Sequence, residues 1–299
     1  MTQALPGVWY ARRRKLPCYL YVQDLWPDNV EIIAGIHSKA ILKPIEKMVN
    51  YIYKRCDLIL ATSPSFVAQI QERVSGRRER VVYWPQYAEE FYRPQPRRAV
   101  PEIPDDGSFK IVFTGNIGQA QGLDILPQTA QKLQSLLDAS QPVRFVIIGD
   151  GRYKAQLLRE IDEKNVGELF VLVDRQPAER IPELLACCDA AFVSFMDNPL
   201  FSNTIPAKLQ SYMACAMPII ASATGETERI VREAECGICC KTGDSEALAR
   251  AIVEFKNEGA RAQCARNARR YFEQHFDKQM LLNQLEEIVE SLQNSKEPC

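Results

Sequence analysis

Histidine is nearly missing from this chain: His37 and His275 are the two in 299 residues. That scarcity leaves Ser-His-Asp chemistry without local support. It also disfavours a zinc centre, which takes about four ligands. Cys236-x-x-Cys239 stands without a second such pair, and both cysteines read as packing residues. No apolar run approaches the roughly 18–20 residues that a membrane span requires. There is no excess of positive charge, with 37 Lys and Arg against 38 Asp and Glu; a dedicated nucleic-acid binder would carry one. Arg12, Arg13, Arg14 and Lys15 interrupt the N-terminal stretch, so it does not read as an export signal. The ten cysteines are therefore expected to be reduced thiols of the cytoplasm. Glycine is sparse at 14 residues, and neither GxGxxG nor GxxxxGK[ST] occurs, which leaves a dinucleotide fingerprint and a P-loop unsupported. What remains is ordinary globular composition, 46% hydrophobic and 25% charged, in a length that suits two domains or one and a part.

Short apolar runs alternate with amphipathic stretches. In the first part, strands are expected over 18–22, 58–61 and 81–84 and helices over 38–55 and 65–73. Five prolines then fall within 85–107 and mark a linker. Beyond it, strands are expected over 110–114, 144–148, 169–173, 190–195, 218–221 and 237–240. Helices are expected over 123–137, 154–163, 180–187, 207–215, 226–233 and 245–257, with two more over 260–275 and 278–294. Six strand–helix repeats imply a parallel sheet covered on both faces, a Rossmann-like α/β domain. The division expected is a partial N-terminal Rossmann-like domain over 1–87, a linker over 88–107, a ligand-binding Rossmann-like domain over 108–275 and a terminal helix over 276–299.

Ligands of open parallel sheets bind beyond the carboxyl ends of the strands. Gly115-Asn116-Ile117-Gly118 and Gly149-Asp150-Gly151 stand at two such ends. Glycine there lets backbone approach a ligand, although plain strand–helix turns use glycine too. The run Asn203-Thr204-Ile205-Pro206-Ala207-Lys208 follows the fourth strand. With Thr204 as N-cap and Pro206 in the first turn, amides near Ile205 and Ala207 together with Lys208 would make an anion site. An ordinary capped helix with a solvated lysine is the competing reading. Asp197 in the same loop suits a sugar hydroxyl or a simple turn. Thr224 to Glu228 reads more readily as capping chemistry. In the first part, Asp24 is the best carboxylate at a strand end, with Trp26 beside it.

The segments YVQDLWPD, LATSPSF, FYRP, FTGNIGQAQGLD, IGDG, LLACCDAAFVSF and NTIPAKLQSYMACAMPIIAS occur in this order. Together they resemble the retaining, nucleotide-sugar-dependent glycosyltransferases of family four, most closely the branch that builds bacterial surface polysaccharides. The resemblance runs from Leu16 to about Phe276 and implies a GT-B fold of two Rossmann-like domains with parallel sheets. It implies transfer of a hexosyl or N-acetylhexosaminyl group from a nucleotide-sugar, a UDP-sugar first, to a glycan or polyprenyl-linked acceptor. It implies no metal and no cofactor, the nucleotide-sugar being a substrate. Donor residues implied are Gly115, Asn116, Gly118, Gly149, Asp150, Gly151, Arg175, Asp197, Asn203, Thr204, Ile205, Pro206, Ala207, Lys208 and Ser211; catalytic candidates are Asp24 and Lys208. The chain departs from the family where many relatives carry two glutamates, here Asn203 and Ser211, and where they carry a basic pair, here near Gln119 and Gln121. The first domain is expected to lack its usual beginning.

Two other readings stay open: a non-catalytic nucleotide-sugar-binding protein or partner subunit, and an epimerase of similar architecture, which two histidines serve poorly. Lys39, Lys43, Lys47, Lys54 and Arg55 accompany the apolar face of the 38–55 helix. They suggest a peripheral contact at the inner face of the cytoplasmic membrane, against the competing reading of a helix packed on its sheet.

Overall fold

The computed structural model describes residues 1–299 except 34, 75, 77, 138–141, 257 and 295–299. The chain divides into two compact units, Met1–Gln86 with Asn203–Ile205, and Tyr87–Ser202 with Pro206–Cys299. Both are α/β with all-parallel sheets.

In the first unit, helix α1 (Ala4–Arg14) leads into β1 (Tyr19–Val22), α2 (Asp28–Ile33), α3 (Lys39–Tyr53), β2 (Leu58–Ala61), α4 (Pro64–Arg73) and β3 (Val81–Tyr83). The strands pair in the order β1-β2-β3, with Tyr19 opposite Leu58 and Ile59 opposite Val81. β2 is central and buried along its whole length, which is why it is purely apolar. The Ser63 hydroxyl accepts from the Phe66 amide at 3.1 Å and Pro64 takes the first helical position, so α4 starts there. Two helices escaped the sequence reading. α1 buries only Val8 and Ala11 and ends in three arginines, so it has little apolar periodicity to detect. α2 is six residues long. In α3 the apolar face is covered only toward its end, at Val49, Ile52 and Tyr53; Ile41, Lys39, Lys43 and Lys47 are exposed.

The stretch 88–107 holds no helix or strand, only a bridge between Val100 and Ile103, both buried. The second unit follows with β4 (Phe109–Asn116), α5 (Ile125–Leu136), β5 (Val143–Asp150), α6 (Lys154–Glu163), β6 (Phe170–Val173), α7 (Ile181–Ala186), β7 (Ala190–Ser194), α8 (Ala207–Ala214), β8 (Ile219–Ser222), α9 (Glu226–Glu233), β9 (Gly237–Cys240), α10 (Ser245–Phe255), α11 (Glu258–His275) and α12 (Lys278–Asn294). The strand order is β6-β5-β4-β7-β8-β9. The direction of winding therefore reverses at β4, the place where doubly wound sheets open a crevice.

Alternation along β4 divides the unit into two layers. Ile111 and Phe113 enter a core shared with Leu126 and Leu133 of α5, Leu157 of α6 and Leu248 and Ile252 of α10. Thr114, on the opposite face, meets α8: its amide donates to the Tyr212 hydroxyl at 2.8 Å and the two hydroxyls lie 3.1 Å apart.

The cysteines of the described residues are free thiols. Cys187 and Cys188 follow α7 and do not belong to a strand; the Cys187 thiol donates to the Arg98 carbonyl at 2.9 Å. Cys239 donates to the Ala223 carbonyl at 3.3 Å. Among the described residues no group of His, Cys, Asp and Glu is arranged to hold a metal ion, and no helix is long and apolar enough to cross a membrane.

Candidate functional site

The ends of β4 and β5 lie side by side, with Gly115 opposite Gly149 and Asn116 opposite Asp150. The glycines serve different ends. A Cβ at Gly149 would stand 1.9 Å from the Gly115 carbonyl oxygen, and one at Gly151 would stand 2.2 Å from the Ile117 oxygen. Those two positions are therefore fixed by backbone packing. Gly115, with φ +128°, is different: the nearest group to a Cβ there is the Lys208 ammonium, at 3.7 Å.

These strand ends floor a cavity of about 420 Å³. Gly115, Asn116, Gly149, Asp150 and Arg175 of the expected residues line it. So do Tyr92, Thr114, Ile148, Gln176, Ala178 and Ile181, which the sequence reading did not single out as site residues. Gln176 was within reach, since it stands beside Arg175 just past β6. Tyr92 comes from the segment before β4, within the FYRP run that contributes to the resemblance but was not read as part of a site. Burial raises the pKa of the Tyr92 phenol, Cys215 adds to the rise, and a hydrogen bond with Ser211 opposes it. Ser211 also donates to the Ala207 carbonyl at 3.2 Å.

Lys208 reaches the cavity edge from α8. Tyr212, one turn further on, is tied to Thr114 as described, which fixes that face of the helix against β4. The Lys208 ammonium donates to the Gln121 side-chain oxygen at 2.5 Å and lies 3.6 Å from the centre of the Phe113 ring. No carboxylate of the described residues pairs with it. Burial pulls its pKa from 10.5 down to about 7. A cation held by an amide oxygen and a ring face, beside an open glycine, is suited to an anionic ligand.

One expectation fails. Thr204 does not cap α8. Pro206 takes the N-cap position in extended conformation, at φ −75° and ψ 138°, and no side chain caps the helix. The pyrrolidine ring disfavours helical geometry in the residue before it, and here the helix begins only at Ala207. Pro206 is thus outside the first turn, and Ala207 and Lys208 are its first two residues. Asn203, Thr204 and Ile205 group with the first unit. Gly118 precedes a short 3-10 turn, with a Cβ there 2.8 Å from the Asn116 amide. Asp197 is exposed in the loop after β7 and is not part of the cavity lining. Asp24 is exposed after β1. The loop that carries it is braced by Arg73, which donates to the Trp26 carbonyl at 2.5 Å and pairs with Asp28 at 3.3 Å.

The family profile described as "Glycosyl transferases group 1" matches residues 97–271, more than half of the chain. The chain belongs to this family. Among its relatives, the probable glycosyltransferase WbjE of Pseudomonas aeruginosa is 28% identical over 243 residues, covering 79% of this chain and 59% of that protein. The O-antigen chain mannosyltransferase C of Escherichia coli is 23% identical over 265 residues, covering 87% of this chain and 68% of that protein. Among solved structures, Anabaena Alr3699/HepE in complex with UDP superposes with a TM-score of 0.77 at 17% identity, over 96% of this chain and 76% of that one. The fold of this group 1 glycosyl transferase chain is thus GT-B-like, while it spans less than two thirds of the length of several curated relatives.

Proposed function

We propose that the chain is a retaining glycosyltransferase that moves a hexosyl or N-acetylhexosaminyl group from a UDP-sugar to a glycan or polyprenyl-linked acceptor in bacterial surface-polysaccharide synthesis. The observation that carries this reading is Lys208, a cation without a carboxylate partner beside Gly115 at the edge of the 420 Å³ cavity. The order of motifs resembling family four, the polysaccharide-building relatives and the UDP-bound structural neighbour support it.

In this reading the nucleotide enters beyond β4, β5 and β6, with Arg175 and Gln176 on one side. Its diphosphate faces Lys208 and the first-turn amides of α8. As the bond between the anomeric carbon and the phosphate oxygen breaks, negative charge grows on the leaving diphosphate. A preorganised ammonium and helix end stabilise that charge without a metal or other cofactor. The acceptor oxygen forms the new bond on the same face of the sugar and gives up its proton, for which Asp24 is the proposed carboxylate. Asn203, Ser211 and Asp197 are proposed contacts to sugar and ribose hydroxyls. Peripheral contact with the membrane, through the basic helix α3, would bring the chain to a lipid-linked acceptor.

The presence of Asn203 and Ser211 in place of two glutamates favours one alternative, a partner subunit that binds the nucleotide-sugar without turning it over, because neutral groups lack charge-assisted hydrogen bonds. Two measurements on the full chain separate these outcomes: calorimetry with UDP, and release of UDP from UDP-sugars in the presence of polyprenyl-linked glycans. Binding with release supports the enzyme, binding alone supports the subunit, and absence of binding refutes both.

A further inference from the structure

Gln121 bridges two elements that are each fixed independently. It ends the short 3-10 turn Gln119–Gln121, which lies between Gly118 and Gly122. The backbone of that turn is seated on the end of β7 and the residues after it. The Ser194 hydroxyl donates to the Gln121 carbonyl at 2.6 Å, and the Met196 amide donates to the Ala120 carbonyl at 3.1 Å. Gly122 closes the turn at φ +59°, where a Cβ would stand 2.5 Å from the Phe195 carbonyl oxygen, so a side chain there would part the two segments. Helix α8 is held separately, by the bonds of Tyr212 with Thr114. Across the gap the Lys208 ammonium donates to Gln121 Oε1 at 2.5 Å, between residues 87 positions apart.

The chemistry of that acceptor matters. A lysine head on a flexible stem samples many rotamers, and ordering it on a ligand costs entropy. An acceptor on a fixed turn meets that cost before the ligand arrives. A carboxylate could do the same, but it would cancel the charge that an anion needs. An amide oxygen orients the ammonium and leaves its charge intact. Of three N–H donors Gln121 takes one, and the Phe113 ring face, 3.6 Å away, meets the cation from β4. Donor capacity is left for a phosphate oxygen.

We propose that Gln121 is a positioning residue for the donor diphosphate: it holds the Lys208 ammonium at the cavity edge beside Gly115, oriented but not neutralised, and does not touch the reacting atoms. This rests on the nucleotide-sugar reading above and deepens it, by assigning the orientation of its principal cation to a neutral amide on the turn after β4.

The test uses the full chain and two replacements of similar length. Gln121→Met removes the acceptor, and Gln121→Glu keeps it and adds a charge. The groups facing Lys208 are the Phe113 ring and the Gly115 backbone from β4 and Gln121 from the turn. Burial accounts for its lowered proton affinity, with no contribution from a charged group of the described residues. Its titration is read without ligand from the ε-carbon NMR signal of isotope-labelled lysine, identified by its loss in Lys208→Met. The midpoint is expected near pH 7 in the parent. Losing a hydrogen bond to the charged form should lower it by about one pH unit in Gln121→Met, and a facing carboxylate should raise it by about one unit in Gln121→Glu. By calorimetry at pH 7 both variants should bind UDP about tenfold more weakly, the factor for one hydrogen bond to a charged group. Uridine, which carries no phosphate, should bind all three proteins equally. Coincident midpoints overturn the proposal. So do shifted midpoints with unchanged UDP affinity, or equal losses of UDP and uridine binding, which would make Gln121 a structural residue. Each of these leaves the nucleotide-sugar reading standing, provided that the parent binds UDP; a parent that binds none refutes that reading and the proposal with it.

Discussion

Two lysines stand near opposite ends of β4 and illustrate two uses of an ammonium, one buried and one half-buried. Lys110, at the amino end, is 1% exposed and pairs with Asp106 at 3.1 Å. Asp106 also accepts from the amide of Ser108 at 3.1 Å, from its hydroxyl at 2.5 Å and from Arg144. Burial works against the Asp106 charge, but the hydrogen bonds of Ser108, Arg144 and Lys110 outweigh it and hold the carboxyl well below its usual range. Asp189 completes that end, accepting from the Lys110 amide at 2.8 Å, from Arg97 at 3.3 Å and from Arg261 at 3.1 Å. At the carboxyl end, Lys208 has an amide oxygen and a ring face, and no carboxylate. Charge is closed at one end and left open at the other. The open end is the one where parallel sheets bind ligands.

Breaking the closed end should give the largest effect. Asp106→Asn removes the carboxylate under a fully buried ammonium, and unpairing a buried ion typically costs about 3–5 kcal/mol. Chemical denaturation should show a stability loss toward the lower part of that range, since the Lys110 ammonium keeps the Ser108 carbonyl at 3.4 Å. UDP affinity of the remaining folded protein should be unchanged. A variant as stable as the parent would dissolve the distinction between the two ends.

The open end should respond in the opposite sense. Lys208→Met removes a half-buried cation that no carboxylate neutralises, so stability should hold or rise. UDP affinity should fall by about 1–3 kcal/mol, the range for hydrogen bonds to charged groups. Simultaneous loss of stability would place Lys208 with Lys110 as a structural ion.

A smaller effect is a dependence on pH. Below pH 7 Lys208 is charged in folded and unfolded chains alike. Between about 7 and 10.5 the folded chain has released the proton that the unfolded chain still holds, so this group's contribution to stability rises with pH across that window. UDP affinity should run the other way. The diphosphate favours the ammonium, so binding weakens above pH 7, by at most about tenfold per pH unit, and takes up protons. Calorimetry in buffers of different ionisation enthalpy reads that uptake, and Lys208→Arg, permanently charged, should abolish it. The smallest change is expected for Tyr92→Phe, which removes one hydroxyl contact with Ser211 and should cost UDP binding about 0.5–1.5 kcal/mol. No change would confine Tyr92 to lining the cavity.

The open end was far more legible in the sequence than the closed one. Continuous apolar runs such as Phe145–Ile148 mark buried parallel strands, and Gly115, Gly149 and Lys208 stand at the ends of strands or the start of a helix, where chain order alone places them. The closed end joins residues far apart in sequence, Asp106 with Arg144 and Asp189 with Arg261, and no local spacing announces such pairs. The start of α8 at Ala207 agrees with the expected helix, but its cap was misread for a local reason: Thr204 is a good capping residue, yet the extended Pro206 takes the N-cap position. α1 was missed because only Val8 and Ala11 are buried, so its pattern carries little of the periodicity that marks a packed helix.

The most direct test of the account is a paired measurement, UDP calorimetry at pH 7 and chemical denaturation on the same preparations of the parent and Lys208→Met. The account predicts UDP affinity lower by about 5–150-fold with stability equal or greater. Unchanged affinity for UDP, or an affinity loss explained by unfolding of the variant, would contradict it.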